Sequence, residues 1–397
     1  ISGSPTLSGI TSISTTNLTV NGNAYPATGP LSNRNLIING DMRVAQRSAS
    51  IVTTSDNVNE GYQTIDRFGF SFSSGHGGSI GIGQTATVPS GQGFTKSWFG
   101  NVESGVTPTS TQTTSIYMKV EAQDIANSGW DYTSTSSYIT LSFWARSTKA
   151  GTYCVFLDSQ DAATYERYIK EYTLVADTWK KVTVVVPGKA TLAYDDNNGE
   201  GMQVQWTLST GRNAGTDSTW QTGNEQATSN QVNFFDTAGN QFFLTGVQLE
   251  VGSVATPFEH RSYGDELARC QRYFYKIDGS SAAIRTANGI THVSDASSNV
   301  NIMTKFGVGS VWDGDDGSVV VPFPVTMRAD PTTDSAGLRL AAGSSVYNTT
   351  STIQDNRSSI YAGSIQIDND DSSGMNSGQA CMLVFEGDAY LSFSSEL

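Results

Sequence analysis

The stretch Val247–Lys276, VQLEVGSVATPFEHRSYGDELARCQRYFYK, decides the fold because two periodicities meet inside it. Val247, Leu249 and Val251 alternate with Gln248 and Glu250, the period-two signature of a half-buried strand, so a β-domain ends there. Ser262 then reads as a helix N-cap with Asp265 three residues on, and Leu267, Cys270 and Phe274 recur at helical spacing along one face. It is the one convincing helix in the sequence. A lone amphipathic helix between β-rich blocks must bury its stripe against a domain or against copies of itself.

Upstream of this junction, residues 35–260 carry repeated strand signals separated by turn chemistry: Asn35–Ile38, Arg67–Phe72, Ser79–Ile82, Ser115–Ala122, Tyr138–Arg146, Gly151–Leu157, Trp179–Val186, Met202–Leu208 and Gln241–Glu250. Their spacing predicts a two-sheet sandwich of jelly-roll type. Within Tyr138–Arg146, Ile139, Leu141, Phe143 and Ala145 share a face, whereas Lys180–Val186 loses alternation, as a strand buried on both sides would. Residues 261–276 are the connecting helix, and 277–397 a second β-sandwich with turns at Asp313–Gly317, Pro322–Pro324 and Asp368–Gly374. Its last segment, AYLSFSSEL, alternates as a final strand. Residues 1–34 are nearly uncharged, rich in Ser, Thr, Gly and Asn around Ile10, Ile13, Leu18 and Val20. One copy cannot build a core, so the segment reads either as a linker or as an intertwined shaft in which several chains share short strands.

At 397 residues, two or three domains are the expectation. Only 15% of residues are charged and the net charge is −14, so a polyanion such as nucleic acid would be repelled, and no basic stripe offsets this. No run approaches the length of a membrane span. Cys154, Cys270 and Cys381 form neither a CxxC pair nor a disulfide framework and read as buried small hydrophobes. The chain opens at Ile1 rather than Met, so the expectation is either a processed amino end or, preferred, a sequence that begins partway along a longer polypeptide.

Raw material for catalysis is thin. His76, His260 and His292 are scattered and read as surface or turn residues, giving neither a triad nor a histidine metal site. Gly77-Gly-Ser79-Ile-Gly81 matches the letters of a nucleophile elbow, but IGIGQTATV continues it as strand and turn instead of helix. The acidic runs Asp313–Gly317 and Asp368–Asp371 fail the spacing of an EF-hand loop and read as acidic turn tips. No metal or cofactor is expected. Aromatics are the better lead: Trp98, Trp130 with Tyr132, and Trp220 fall in turn-rich stretches, where exposed rings would stack on the C–H faces of sugars.

In the segments Asn33–Ser48 (NRNLIINGDMRVAQRS), Asp66–Phe72, Glu121–Trp130, Leu141–Ser147, Val247–Lys276 and Phe323–Thr332, in that order, the chain resembles bacteriophage tail-fibre and related virion adhesion proteins. The first β-block also resembles galactose-binding-type jelly-roll modules, a common form of carbohydrate-binding module, through Asn35-Leu36, Asn39-Gly40-Asp41 and Val247-Gln248-Leu249. It departs from their frame at Arg43, where an acid would stand, and at Thr245-Gly246 in place of paired aspartates. Those acids help hold a structural Ca²⁺ in such modules. The resemblance implies a homotrimer whose amino segment enters a fibrous shaft and joins other virion proteins, on the exterior of a tail or head fibre. Leu267, Cys270 and Phe274 would then meet on a threefold axis or pack between the two β-blocks of one chain. The expectation is a fibre's distal region that binds a bacterial surface glycan without catalysis. Alternatives are a purely structural virion protein (head fibre, capsid decoration or tail accessory subunit) and a glycan depolymerase tailspike.

Overall fold

Alternating apolar residues on two long strands face one another across the largest core: Ile139, Leu141, Phe143 and Ala145 from one sheet, Met202, Val204, Trp206 and Leu208 from the other. The computed structural model describes residues 18–20, 23–25, 33–56, 58–73, 75–161, 164–278, 304–312, 316–342, 345–348, 358–368 and 375–397. Strands are numbered along the chain. Leu18–Val20 (β1) and Asn23–Tyr25 (β2) pair as a hairpin; the rest of residues 1–32 lies outside the described part.

Two six-stranded antiparallel sheets make the jelly-roll sandwich. One contains Val52–Ser55 (β3), Ser79–Thr85 (β5), Ser97–Ser104 (β6), Tyr138–Ser147 (β8), Lys180–Pro187 (β11) and Gln241–Val251 (β14), in the order β11-β8-β14-β6-β5-β3. The other contains Gly69–Phe72 (β4), Thr113–Glu121 (β7), Gly151–Ser159 (β9), Glu166–Leu174 (β10), Glu200–Thr210 (β12) and Thr219–Thr222 (β13), in the order β13-β10-β9-β12-β7-β4. Between them Trp206 meets Phe143 edge-on at 5.7 Å and Trp98 stacks on Phe70 at 5.9 Å. Each such fully buried ring contributes on the order of 2–3 kcal/mol.

Three sequence expectations need correction here. Lys180–Val186 is an edge strand buried on one face, with Val182, Val184 and Val186 inside and Lys181 and Thr183 exposed. Its unbroken apolar look comes from Val185 alone. Asn35–Ile38 is not a strand; its backbone is fastened by side chains. Asn35 Oδ1 accepts from the amides of Ile37 and Leu249, while Arg261 donates to the carbonyls of Asn35 and Ile37. The following Asn39 sits at φ 60°, and a Cβ on Gly40 would lie 2.1 Å from the Val247 carbonyl oxygen. Third, His76 is buried, between Phe72 at 5.1 Å and Phe235 at 5.0 Å. Burial lowers its imidazole to about 4.

A short helix, Ala122–Ala126 (α1), follows β7, and Tyr263–Gln271 (α2) is the helix read from sequence, capped by Ser262 Oγ accepting from the Asp265 amide at 3.1 Å. It ends earlier than expected: Phe274 opens a strand, Phe274–Asp278 (β15). The stripe is spent within one chain. Cys270 and Tyr273 pack with Ile38 and Val44, with Leu267 and Leu397 at the margin of the cluster. Cys270 is thus fully buried by its own chain.

The last block is one antiparallel sheet built on the 15-residue strand Ala380–Ser394 (β21). Thr332–Ala342 (β18) runs along one side of it, with Ser345–Asn348 (β19) beyond. On the other side β15 takes the Tyr390–Ser394 half and Thr304–Val311 (β16) the Ala380–Phe385 half, followed by Asp316–Pro322 (β17) and Ala362–Asp368 (β20). The sheet curls over its own core: Phe393 of β21 lies 4.7 Å from Phe323, beyond β17, and its ring crosses Gly363 on β20, where a Cβ would be 2.3 Å away. The turn tips 313–315 and 369–374 lie outside the described residues, and with them most of both acidic runs. Cys154, Cys270 and Cys381 are free and buried. Among the described residues no helix is long and apolar enough to cross a membrane.

Candidate functional site

The structure separates the aromatics predicted to contact sugar and buries the three tryptophans. Trp98 is in β6, fully enclosed. Trp220 is in β13, against Tyr168 at 5.5 Å, its indole N–H donating to the Pro187 carbonyl at 2.7 Å. Trp130 follows α1 and is wedged beside Tyr132 and Tyr194 at 6.2 and 6.3 Å. Tyr132, half-buried, leans edge-on against Tyr194 at 5.0 Å. The tryptophans are packing plugs, because each belongs to the sandwich's buried apolar core. None can stack on a sugar without leaving the core.

The face with binding chemistry is the outer side of the β13-β10-β9-β12-β7-β4 sheet. Alternation puts apolar residues of β7 and β12 into the core and leaves Ser115, Tyr117, Lys119, Gln203 and Gln205 on the other side. Strand register lays them in rows: Arg167, Asp158, Gln203 and Lys119; then Gln205, Tyr117 and Gly69; then Ser115 and Ser71. Gly69 shapes this face, since a Cβ there would sit 2.2 Å from the Tyr117 ring. Lacking one, it lets the ring lie across β4. Tyr62 then meets that ring edge-on at 5.3 Å.

Around this ring runs a chain of hydrogen-bonding groups: Ser71 and Ser115 hydroxyls 3.1 Å apart, Ser115 donating to Gln205 Oε1 at 2.8 Å, and Gln205 Nε2 donating to Gln203 Oε1 at 2.7 Å. Arg167 pairs with Asp158, lies over the Phe156 ring at 4.4 Å and donates to the Glu225 carbonyl at 2.8 Å. Burial raises the Asp158 carboxyl above its ordinary range, and Arg167 opposes that rise. Burial, then Glu396 and Glu200, push the Tyr117 phenol far up, so it remains a neutral donor. One border is the segment around Glu225–Thr228, where Thr207 donates to the Gln226 carbonyl at 2.8 Å. The other is Glu396–Leu397, held by Arg67 and by Lys119, whose Nζ donates to the Leu397 carbonyl at 2.9 Å.

Tyr117, Gln203 and Gln205 were missed from sequence, although the signal was present: in IYMKV and MQVQW the polar or aromatic residue recurs at every second position. Tyr117, Gln203 and Ser71 are partly exposed on this face, while Ser115 and Gln205 are buried beneath and hold Ser71 and Gln203 through the hydrogen bonds just described. The arrangement has no nucleophile with an adjacent base. Ser79 opens β5 and runs on as strand, not into a helix. Among the described residues no group of three or more His, Cys, Asp or Glu side chains is placed to hold a metal ion.

No protein-family model and no curated protein matches the chain. Among solved structures it is similar to the enzymatically active domain of tailspike protein 4 of bacteriophage CBA120, at 13% identity and a TM-score of 0.30, over 55% of this chain and 21% of that one. It is also similar to a family 11 carbohydrate-binding module from Clostridium thermocellum in complex with a mixed-linked tetrasaccharide, at 10% identity and a TM-score of 0.26, over 52% of this chain and 98% of that one. A third is the module TmCBM61 in complex with β-1,4-galactotriose, at 11% identity and a TM-score of 0.27, over 55% of this chain and 98% of that one.

Proposed function

We propose that this chain is a non-catalytic glycan adhesin, the distal region of a trimeric phage fibre, whose sugar-binding surface is the outer sheet face around Tyr117. The observation that carries the reading is the Tyr117 ring laid over Gly69 and bordered by the Ser71, Ser115, Gln205 and Gln203 chain. A pyranose presents an apolar C–H face and a rim of hydroxyls, each a donor and an acceptor. An aromatic face beside the part-exposed Gln203 amide and Ser71 hydroxyl, both held in place by buried Gln205 and Ser115, complements both. The chain's resemblance to virion adhesion proteins supports the phage setting and the trimer. Three copies on one fibre multiply weak contacts through effective concentration, so each face needs little affinity.

The test is binding of the size-characterised protein to host cells and to extracted surface glycan, with reducing-end release followed in the same samples. The expected result is a particle of three 42.3 kDa chains that binds saturably and releases no sugar. Sugar release would overturn the non-catalytic assignment, and absence of binding to any susceptible host would favour a structural virion subunit.

A further inference from the structure

Between the two β-blocks a cleft of about 400 Å³ opens beside the sheet face just described. Arg47 and Tyr62 come from the jelly roll; Phe274, Lys276, Asp334 and Tyr390 come from the C-terminal sheet. Tyr62 belongs to both places, since it lines the cleft and touches Tyr117 at 5.3 Å. A chain of sugars crossing Tyr117 toward Tyr62 therefore runs into the cleft.

The lining fixes the ligand class. Tyr62 and Tyr390 bring aromatic rings from opposite blocks. Tyr390 donates to Asp334 at 2.8 Å, which orients a carboxylate whose other lone pairs suit hydroxyl donors. Arg47 is answered inside the protein, by Glu396 at 3.1 Å and Asp66 at 3.8 Å, and its guanidinium lies 3.6 Å over the Phe274 ring. Lys276, 5.1 Å over the Tyr390 ring, and Asp334 contribute one charge of each sign. The cleft is thus close to neutral, which gives an acidic sugar no advantage. We infer that it is a subsite for one neutral sugar residue, so that both β-blocks bind the same glycan. The inference rests on the glycan-binding reading above.

Saturation-transfer NMR with D-glucose, D-galactose and N-acetyl-D-glucosamine tests it on the full chain. The expected result is transfer to the ring protons of at least one of the three. That transfer is reduced, to the share left by the Tyr117 face, in Tyr390→Ala and in the surface change Asp334→Asn, and undiminished in Val308→Ser, an exposed position on the same sheet. Loss of transfer in Tyr117→Ala with undiminished transfer in both cleft variants would overturn the subsite while leaving the sheet-face reading intact. No transfer from any of the three sugars to wild type would also overturn it, and binding of extracted polymer by the same sample then reports separately on the adhesin reading.

Discussion

Which face of a strand an aromatic occupies decides whether it packs or binds. Trp98 and Tyr117 both lie in strands; Trp98 points into the sandwich, Tyr117 away from it. Trp98 read as loop because SWFGNVES mixes Gly and Asn with its apolar residues. Gly100 is there for another reason: a Cβ would meet the Trp98 ring at 2.6 Å. Trp98 and Gly100 are two positions apart on one strand and so share a face, a period-two relation that shows in sequence once the segment is read as strand and not as loop. At this scale His76 makes a pH prediction. Its neutral ring is buried and its folded value is about 4, against 6.5 when exposed. Between pH 6.5 and 4 the unfolded chain takes up a proton that the folded chain refuses, so acidification destabilises the fold through this residue. Asp66 acts oppositely, because burial, only partly offset by Arg47, raises its carboxyl from 3.8 to about 6 and the folded state holds a proton in that interval. Wild type should therefore lose Tm relative to His76→Leu as pH falls from 6.5 to 4. A Tm difference independent of pH would contradict this assignment.

Among elements, the helix was legible and its end was not. The Ser262 cap and the Leu267 and Cys270 spacing lie within a few residues of each other, where local signals suffice. Phe274 continues the helical spacing but is claimed by backbone pairing with Ser394, more than a hundred residues away. The segment after Asn33 reads as a strand by its apolar residues, yet it is held by Asn35 and Arg261 through contacts over two hundred residues distant in sequence. Arg261 is largely buried and pairs with Glu259 at 3.3 Å and Glu266 at 3.5 Å. Arg261→Ala would leave both carboxylates without that partner and two backbone carbonyls without a donor. Denaturant unfolding should report a loss of about 3 kcal/mol or more, whereas a loss below about 1 kcal/mol would show that the strap does not depend on this guanidinium.

For the whole molecule, the two β-blocks are joined by polar contacts, some of them buried, as well as by α2. Glu121, at the end of β7, receives Arg272 at 2.8 Å from both Nε and Nη2, and the Tyr273 hydroxyl at 2.5 Å. Burial alone would raise the Glu121 carboxyl, but Arg272 and Tyr273 hold it below its ordinary value. Arg67, fully buried at φ 69°, pairs with Glu396 and lies 3.5 Å over the Tyr273 ring. Arg328 reaches the carbonyl of Asn198 at 2.9 Å and that of Ser395 at 2.6 Å. Such a junction predicts that the blocks unfold together in scanning calorimetry. Glu121→Ala, which strands Arg272 and Tyr273, should separate the transitions by lowering that of the C-terminal block; a single unshifted transition would refute the coupling. None of this junction could be read from sequence, because its charges are spaced without any local pattern.

The central claim is that sugar lies on the sheet face carrying Tyr117, and calorimetric titration of extracted host-surface glycan into wild type and Tyr117→Ala tests it most directly. Loss of one stacking ring should weaken binding by at least about tenfold with the fold intact. Gly69→Ala, which crowds that ring from below, should weaken it in the same direction. Equal affinity of wild type and Tyr117→Ala would contradict the account and move the site off this face.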